Sequence, residues 1–140
     1  SVSSNGLDVS LSQDGLNLYV VDNAGNRIEQ YTLGTSWDVS TATYSTSSST
    51  QDGTPTNMFF KFDGTRYYYI GRDTKKVYQH SLTTAWDLST ASYDNISFDI
   101  SSLPTTLPYG IHFNTTGTKM YIMIIASSPN DAVYQYSINS

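Results

Sequence analysis

One phrase is written three times along this chain. Ile28-Glu29-Gln30-Tyr31-Thr32-Leu33 returns as Val77-Tyr78-Gln79-His80-Ser81-Leu82 and again as Val133-Tyr134-Gln135-Tyr136-Ser137-Ile138. A longer run, Ser36-Trp37-Asp38-Val39-Ser40-Thr41-Ala42-Thr43-Tyr44, returns once, as Ala85-Trp86-Asp87-Leu88-Ser89-Thr90-Ala91-Ser92-Tyr93. A unit that recurs every ~40–50 residues cannot bury its own apolar face and must stack on its neighbours. Repetition therefore specifies a scaffold. Function has to be sought where the copies differ.

Each copy reads as short strands. The first strand is Leu7 to Ser12, Asn57 to Phe62 and Gly110 to Asn114. A tight turn follows at Asp14-Gly15, Asp63-Gly64 and Thr116-Gly117, where glycine supplies the positive φ such turns need. The second strand, rich in aromatic and β-branched residues, is Leu16 to Val21, Arg66 to Ile70 and Lys119 to Ile124. The repeated phrase is the third. Tyr44 to Ser49 and Ile96 to Ser101 read as the fourth. No segment keeps a 3.6-residue apolar period, so almost no helix is expected.

Four antiparallel strands in 40 to 50 residues make the unit of a β-propeller blade. The pattern Asp-Gly-x-x-x-Tyr, then Val-Tyr-Gln-Tyr-Ser-Leu, then Trp-Asp-x-Ser-Thr-Ala-x-Tyr resembles the propeller-type repeat of many bacterial and phage-associated proteins. The resemblance spans the whole chain and implies the fold rather than a ligand. Copy one departs from it with Leu18 and Glu29 where copy two has Tyr67 and Tyr78, and copy three lacks the Trp-Asp segment. The expected architecture is all-β, with four-stranded blades over residues 5–49, 55–102 and 108–140. Three blades do not close a ring, since propellers have about four to eight. Two copies would give six. In that arrangement Ser1-Val2-Ser3-Ser4, which matches the end of a fourth strand at Asp99-Ile100-Ser101-Ser102, completes the third blade of the partner.

Composition narrows the classes of function. The formal charge is -5, with seven Lys and Arg scattered through 140 residues. That argues against nucleic acid and anionic membranes, which need a basic footprint. The longest apolar run, Met120 to Ala126, is too short to insert in a bilayer as a helix. There is no cysteine and there are two histidines, which disfavours a zinc site. No cofactor is expected.

The motifs read first as structure. Trp37-Asp38 and Trp86-Asp87 are expected in a turn, the indole packed between blades and the Asp capping backbone N–H groups; sugar stacking is the functional alternative. Tyr19, Tyr68 and Tyr121 are expected to pack between blades. His80 stands where the other copies have Tyr31 and Tyr136, so a packing role is expected. His112 is placed on the innermost strand, facing the channel. Asp22-Asn23-Ala24-Gly25-Asn26 has too few ligands for a calcium loop and is read as a hairpin loop.

One end of the blades, bearing the first-to-second and third-to-fourth connections, is nearly constant between copies. The other end varies, and binding residues concentrate on variable loops of a rigid scaffold. The candidate ligand-binding residues there are Asp22, Asn26, Asp52, Arg72, Asp73, Tyr109, Asn130 and Asp131. The expected function is a non-enzymatic recognition or scaffold module, lectin-like or adhesin-like. Its partners would be itself, as a homodimer, and carbohydrate, in a secreted, cell-surface or virion-associated setting. The alternative is a propeller hydrolase or lyase at the channel mouth, where paired copies of Asp8 and His112 would converge. The sequence equally allows an excised or engineered propeller fragment with no function of its own.

Overall fold

Strand residues here are apolar on both faces, as in sheets sandwiched between two neighbours. In Arg66-Tyr67-Tyr68-Tyr69-Ile70, Tyr67 and Tyr69 point to one side, Tyr68 and Ile70 to the other. The computed structural model describes residues 5–104, 107–125 and 131–138. Blade one is a meander of β1 (Gly6–Leu11), β2 (Asn17–Asp22), β3 (Arg27–Leu33) and β4 (Ala42–Ser49). Blade two repeats it with β5 (Pro55–Phe60), β6 (Arg66–Gly71), β7 (Lys76–Leu82) and β8 (Ala91–Asp99). Blade three has three strands among the described residues, β9 (Leu107–Phe113), β10 (Lys119–Ile125) and β11 (Ala132–Ser137). All pairings are antiparallel. The chain is thus a β-propeller arc, helical only in two 3₁₀ turns among the described residues, at Val39–Thr41 and Leu88–Thr90. Ser1 to Ser4, expected to complete a partner's blade, lie outside the described residues.

The sequence places the fourth strand of blade two at residues 96–101; it runs instead from Ala91 to Asp99. The 3₁₀ turn releases Ala91 directly into extended backbone, so pairing starts at Leu82↔Ala91. The register then jumps, with His80 opposite Tyr93 but Gln79 opposite Ile96. Asp94 and Asn95 form the bulge, and Asn95 takes φ 57°.

The blades stack through apolar faces. Tyr19, Val21 and Ile28 of blade one meet Met58, Phe60, Tyr67, Tyr69 and Leu88 of blade two. Ile70 and Val77 of blade two meet Ile111, Phe113, Met120, Ile122 and Ile124 of blade three. On the inner strands, one side chain clasps the next blade. Asp8 Oδ2 accepts from Met58 N at 2.8 Å, and at the equivalent position Asn57 Oδ1 accepts from Ile111 N at 2.9 Å. The third equivalent, Gly110, has no side chain to offer.

Candidate functional site

At the constant end, turn geometry and packing explain the Trp-Asp motif. Gly15 and Gly64 sit at φ 69° and 71°, and a Cβ on either would come within 2.4 Å or 2.3 Å of the ring of Trp37 or Trp86. Each indole therefore lies flat on a glycine backbone, and Trp37 N and Trp86 N both donate to that glycine's carbonyl at 2.9 Å. Asp38 and Asp87 then cap the 3₁₀ turns, accepting from Ser40 N at 3.0 Å and Ser89 N at 2.9 Å.

A latch across blades one and two completes this end. Tyr19 Oη and Gln30 Nε2 donate to the Trp86 carbonyl at 2.5 and 3.1 Å, and Leu88 N donates to Gln30 Oε1 at 2.8 Å. Tyr19 and Phe60 flank the Trp86 ring at 6.4 and 5.1 Å. The latch explains a signal in the repeated phrase, whose glutamine is identical in all three copies as Gln30, Gln79 and Gln135. Trp37, with no described blade before it, is 62 % exposed.

At the variable end the structure separates the candidate residues into two kinds. Asp22 and Asp52 are buried, and their carboxylates are used internally. Asp22 pairs with Arg27 at 3.1 Å and accepts from Gly25 N at 3.1 Å. Asp52 accepts from Thr54 N at 2.7 Å, Thr74 N at 2.9 Å and Thr74 Oγ1 at 2.7 Å. Asn26 turns the chain at φ 52°; its side-chain amide, in the orientation that satisfies both of its atoms, donates to Gly53 O at 2.6 Å, and its backbone carbonyl accepts from Thr50 N at 3.0 Å. These three knit loop to loop. The others face outward. Arg72, half-buried, reaches across the blade two–three junction to donate to Tyr109 Oη at 3.4 Å. Asp73 is exposed and accepts from Thr54 Oγ1 at 2.7 Å. Asp131 is exposed at the start of the last strand. Asn130 lies outside the described residues.

The inner strands line a cavity of about 460 Å³ whose walls include Asp8, Ser10, Asn57, Phe59, Phe62 and His112. Burial raises the Asp8 carboxyl above its usual range, against the lowering effect of Met58 N–H. His112 stacks edge-on to Phe59 at 4.8 Å and is otherwise exposed to the channel. No cluster of three or more metal-ligating side chains occurs among the described residues. His80 is far from this channel in character. It is buried against Tyr67 at 4.8 Å, Tyr69 at 5.6 Å and Tyr93 at 5.4 Å, and burial lowers its pKa to about 4. In blade one, Glu29, the equivalent of Tyr78, is a buried acid held by Arg27 at 2.7 Å and Tyr31 Oη at 2.7 Å.

No protein-family model and no curated protein sequence matches this chain. Solved structures do match its fold. A proposed 6-phosphogluconolactonase from Bacteroides uniformis is 17% identical with a TM-score of 0.71, over 94% of this chain and 36% of that one. The periplasmic gluconolactonase PpgL of Pseudomonas aeruginosa is 12% identical with a TM-score of 0.61, over 92% of this chain and 40% of that one. The β-propeller domain of Cps50 (Swd1) from Myceliophteria thermophila is 14% identical with a TM-score of 0.62, over 94% and 39%. The chain is a β-propeller. It spans little more than a third of the first of these relatives.

That finding corrects the expectation that the chain is not an enzyme. Proteins named as lactonases share its fold alongside one named only as a propeller domain, so the fold gives no ground for setting catalysis aside.

Proposed function

We propose that this chain is a propeller half-ring that closes with a second copy of itself and recognises a polar ligand at its variable end. One observation carries the assembly. Val133 is 66% exposed on the outer face of blade three, whereas Ile28 and Val77 at the equivalent position are 0% and 3% exposed because another blade covers them. Met123 repeats the contrast with Val21 and Ile70, and at the other terminal face Val9 and Val39 repeat it with Met58 and Leu88. Apolar faces of this kind are covered in a stable soluble protein. On the ligand, Arg72, Asp73 and Tyr109 together offer donors, an acceptor and an aromatic ring, chemistry that suits hydroxyl-rich molecules such as carbohydrates. Membership of the bacterial and phage-associated repeat family, and a secreted, cell-surface or virion-associated setting, fit this reading.

Light scattering across a concentration series tests the assembly. A mass of twice 15.5 kDa is expected, falling to the single-chain mass in Val133→Lys. A wild-type monomer throughout the micromolar range would overturn it. A glycan array on the dimer, with Arg72→Ala as control, tests the ligand class.

A second reading is a sugar-lactone hydrolase. The cavity bearing Asp8, Asn57 and His112 supports it, together with the lactonase names among the fold's relatives. Hydrolysis of glucono-1,5-lactone above the spontaneous rate, lost in His112→Ala, is the expected signature. A wild-type rate equal to buffer dismisses this reading.

A further inference from the structure

The latch between blades one and two is a template against which the next junction can be compared. At the first junction the Trp86 ring rests on Gly64, and Leu88 enters the apolar cluster with Tyr19, Val21 and Ile28. Tyr19 and Gln30 hold the loop that carries both. At the second junction every receiving group is present again. Tyr68 stands for Tyr19, Gln79 for Gln30, Val77 for Ile28, Phe113 for Phe60 and Gly117 for Gly64. Gly117 even keeps the φ of its counterparts, at 70°, although no described atom lies within 4 Å of a Cβ placed there.

Two adjoining cavities occupy the place of the two buried side chains. The larger, about 660 Å³, is bounded by Tyr68, Gln79, Phe113, Gly117 and Ile138. It corresponds to the Trp86 position. The smaller, about 140 Å³, is bounded by Tyr68, Val77, Gln79, Ile96 and Phe98, and corresponds to the Leu88 position. Arg66 stands on the rim of the larger one, which favours a segment carrying a carboxylate; Lys61, also on the rim, is paired with Asp63 at 2.6 Å. Beside them, β11 pairs only with β10 among the described residues, whereas β3 and β7 each carry an outer strand. An edge of this kind accepts an added strand.

We infer that the groove between blades two and three is a receptor for a Trp-Asp loop, and that a peptide with the chemistry of Ala85-Trp86-Asp87-Leu88-Ser89-Thr90 docks there and continues as an edge strand on β11. The indole lies on Gly117, the following leucine fills the smaller cavity, and the loop backbone takes hydrogen bonds from Tyr68 and Gln79. Gln79 Nε2, which donates to Asp94 Oδ2 at 2.7 Å, turns to the incoming carbonyl. The occupant is a further segment of this repeat type, because Trp37 and Trp86 are already seated on Gly15 and Gly64. Ring closure as read from the sequence would set Ser1-Val2-Ser3-Ser4 of a second copy on the same β11 edge, so the peptide and that segment compete for it.

The test uses the whole chain and a fluorescein-labelled peptide of residues 83–99, read by fluorescence polarisation. Saturable binding is expected. It should weaken about tenfold or more when the peptide carries Trp86→Ala, and about fivefold to tenfold when the protein carries Tyr68→Phe, the loss of one hydrogen bond. Gln79→Ala should act like Tyr68→Phe, with circular dichroism confirming that each variant is folded. Tyr121→Phe, at the same position on the terminal face of blade three, should bind as wild type does. Absence of saturable binding to the folded protein overturns the inference. So does binding indifferent to Trp86→Ala or to Tyr68→Phe, and so does binding lost only in Tyr121→Phe, which places the peptide on the terminal face.

Discussion

His80 should make the fold acid-sensitive in a window where little else titrates. Its imidazole is packed among three tyrosine rings, and its Nδ1 has no hydrogen-bond partner among the described residues. Burial lowers its pKa from 6.5 to about 4. The folded state therefore holds a neutral imidazole where the unfolded chain already binds a proton. Stability from this group is fully present above the unfolded pKa and is lost as pH falls from 6.5 towards 4. Linkage with these two values gives a loss of about 2 kcal/mol between pH 7 and pH 5. Asp8, with its raised pKa, acts in the opposite direction. Asp14, Asp38 and Asp63 are held below their usual range by hydrogen bonds from Ser12, Ser40 and Lys61, and lose their contribution only in stronger acid. The assay is urea unfolding at pH 7, 6 and 5 for wild type and His80→Phe. The variant removes the buried nitrogen and keeps a flat ring among the tyrosines, so its stability should fall by about 2 kcal/mol less than wild type over that range. Parallel pH dependence in the two proteins would refute the reasoning.

The other outcomes follow from the loops. Trp86→Ala should cost about 3–5 kcal/mol in denaturant unfolding, because the ring fills the space between Tyr19 and Phe60, while Trp37→Ala in a monomeric sample should cost much less. Once the chain dimerises, that difference should narrow, which a concentration series of melting curves will read. Asp52→Ala leaves Thr54 N, Thr74 N and the Thr74 hydroxyl without their acceptor and should cost about 1–3 kcal/mol. Ligand binding measured on a stabilised background should survive that change if Arg72 and Tyr109 form the contact surface.

The blade architecture was legible because its signals are local. A glycine at positive φ must follow the first strand, and the indole resting on it fixes the next loop, so both recur in order along the chain. The loops at the variable end were harder to read, since Asp22, Asp52 and Asp73 carry the same carboxylate in the sequence. Only the fold shows that the first two face inward onto backbone donors while Asp73 is exposed and Arg72 borders a junction. Burial of Glu29 was equally hidden. Its partners, Arg27 and Tyr31, lie two residues to either side, a spacing that puts all three on one face of a strand, but exposure of that face depends on the neighbouring blade. The start of the fourth strand of blade two at Ala91 was hidden because Asn95, at φ 57° in the bulge, is not a residue that marks a strand interior in the sequence.

The latch between blades one and two also gives the arc a direction in time. Tyr19 and Gln30 belong to the earlier blade and Trp86 and Leu88 to the later one, so a ribosome finishes each receiving face before it makes the loop that fits it. A nascent chain can then add blades vectorially, every new outer strand guided by a surface already in place.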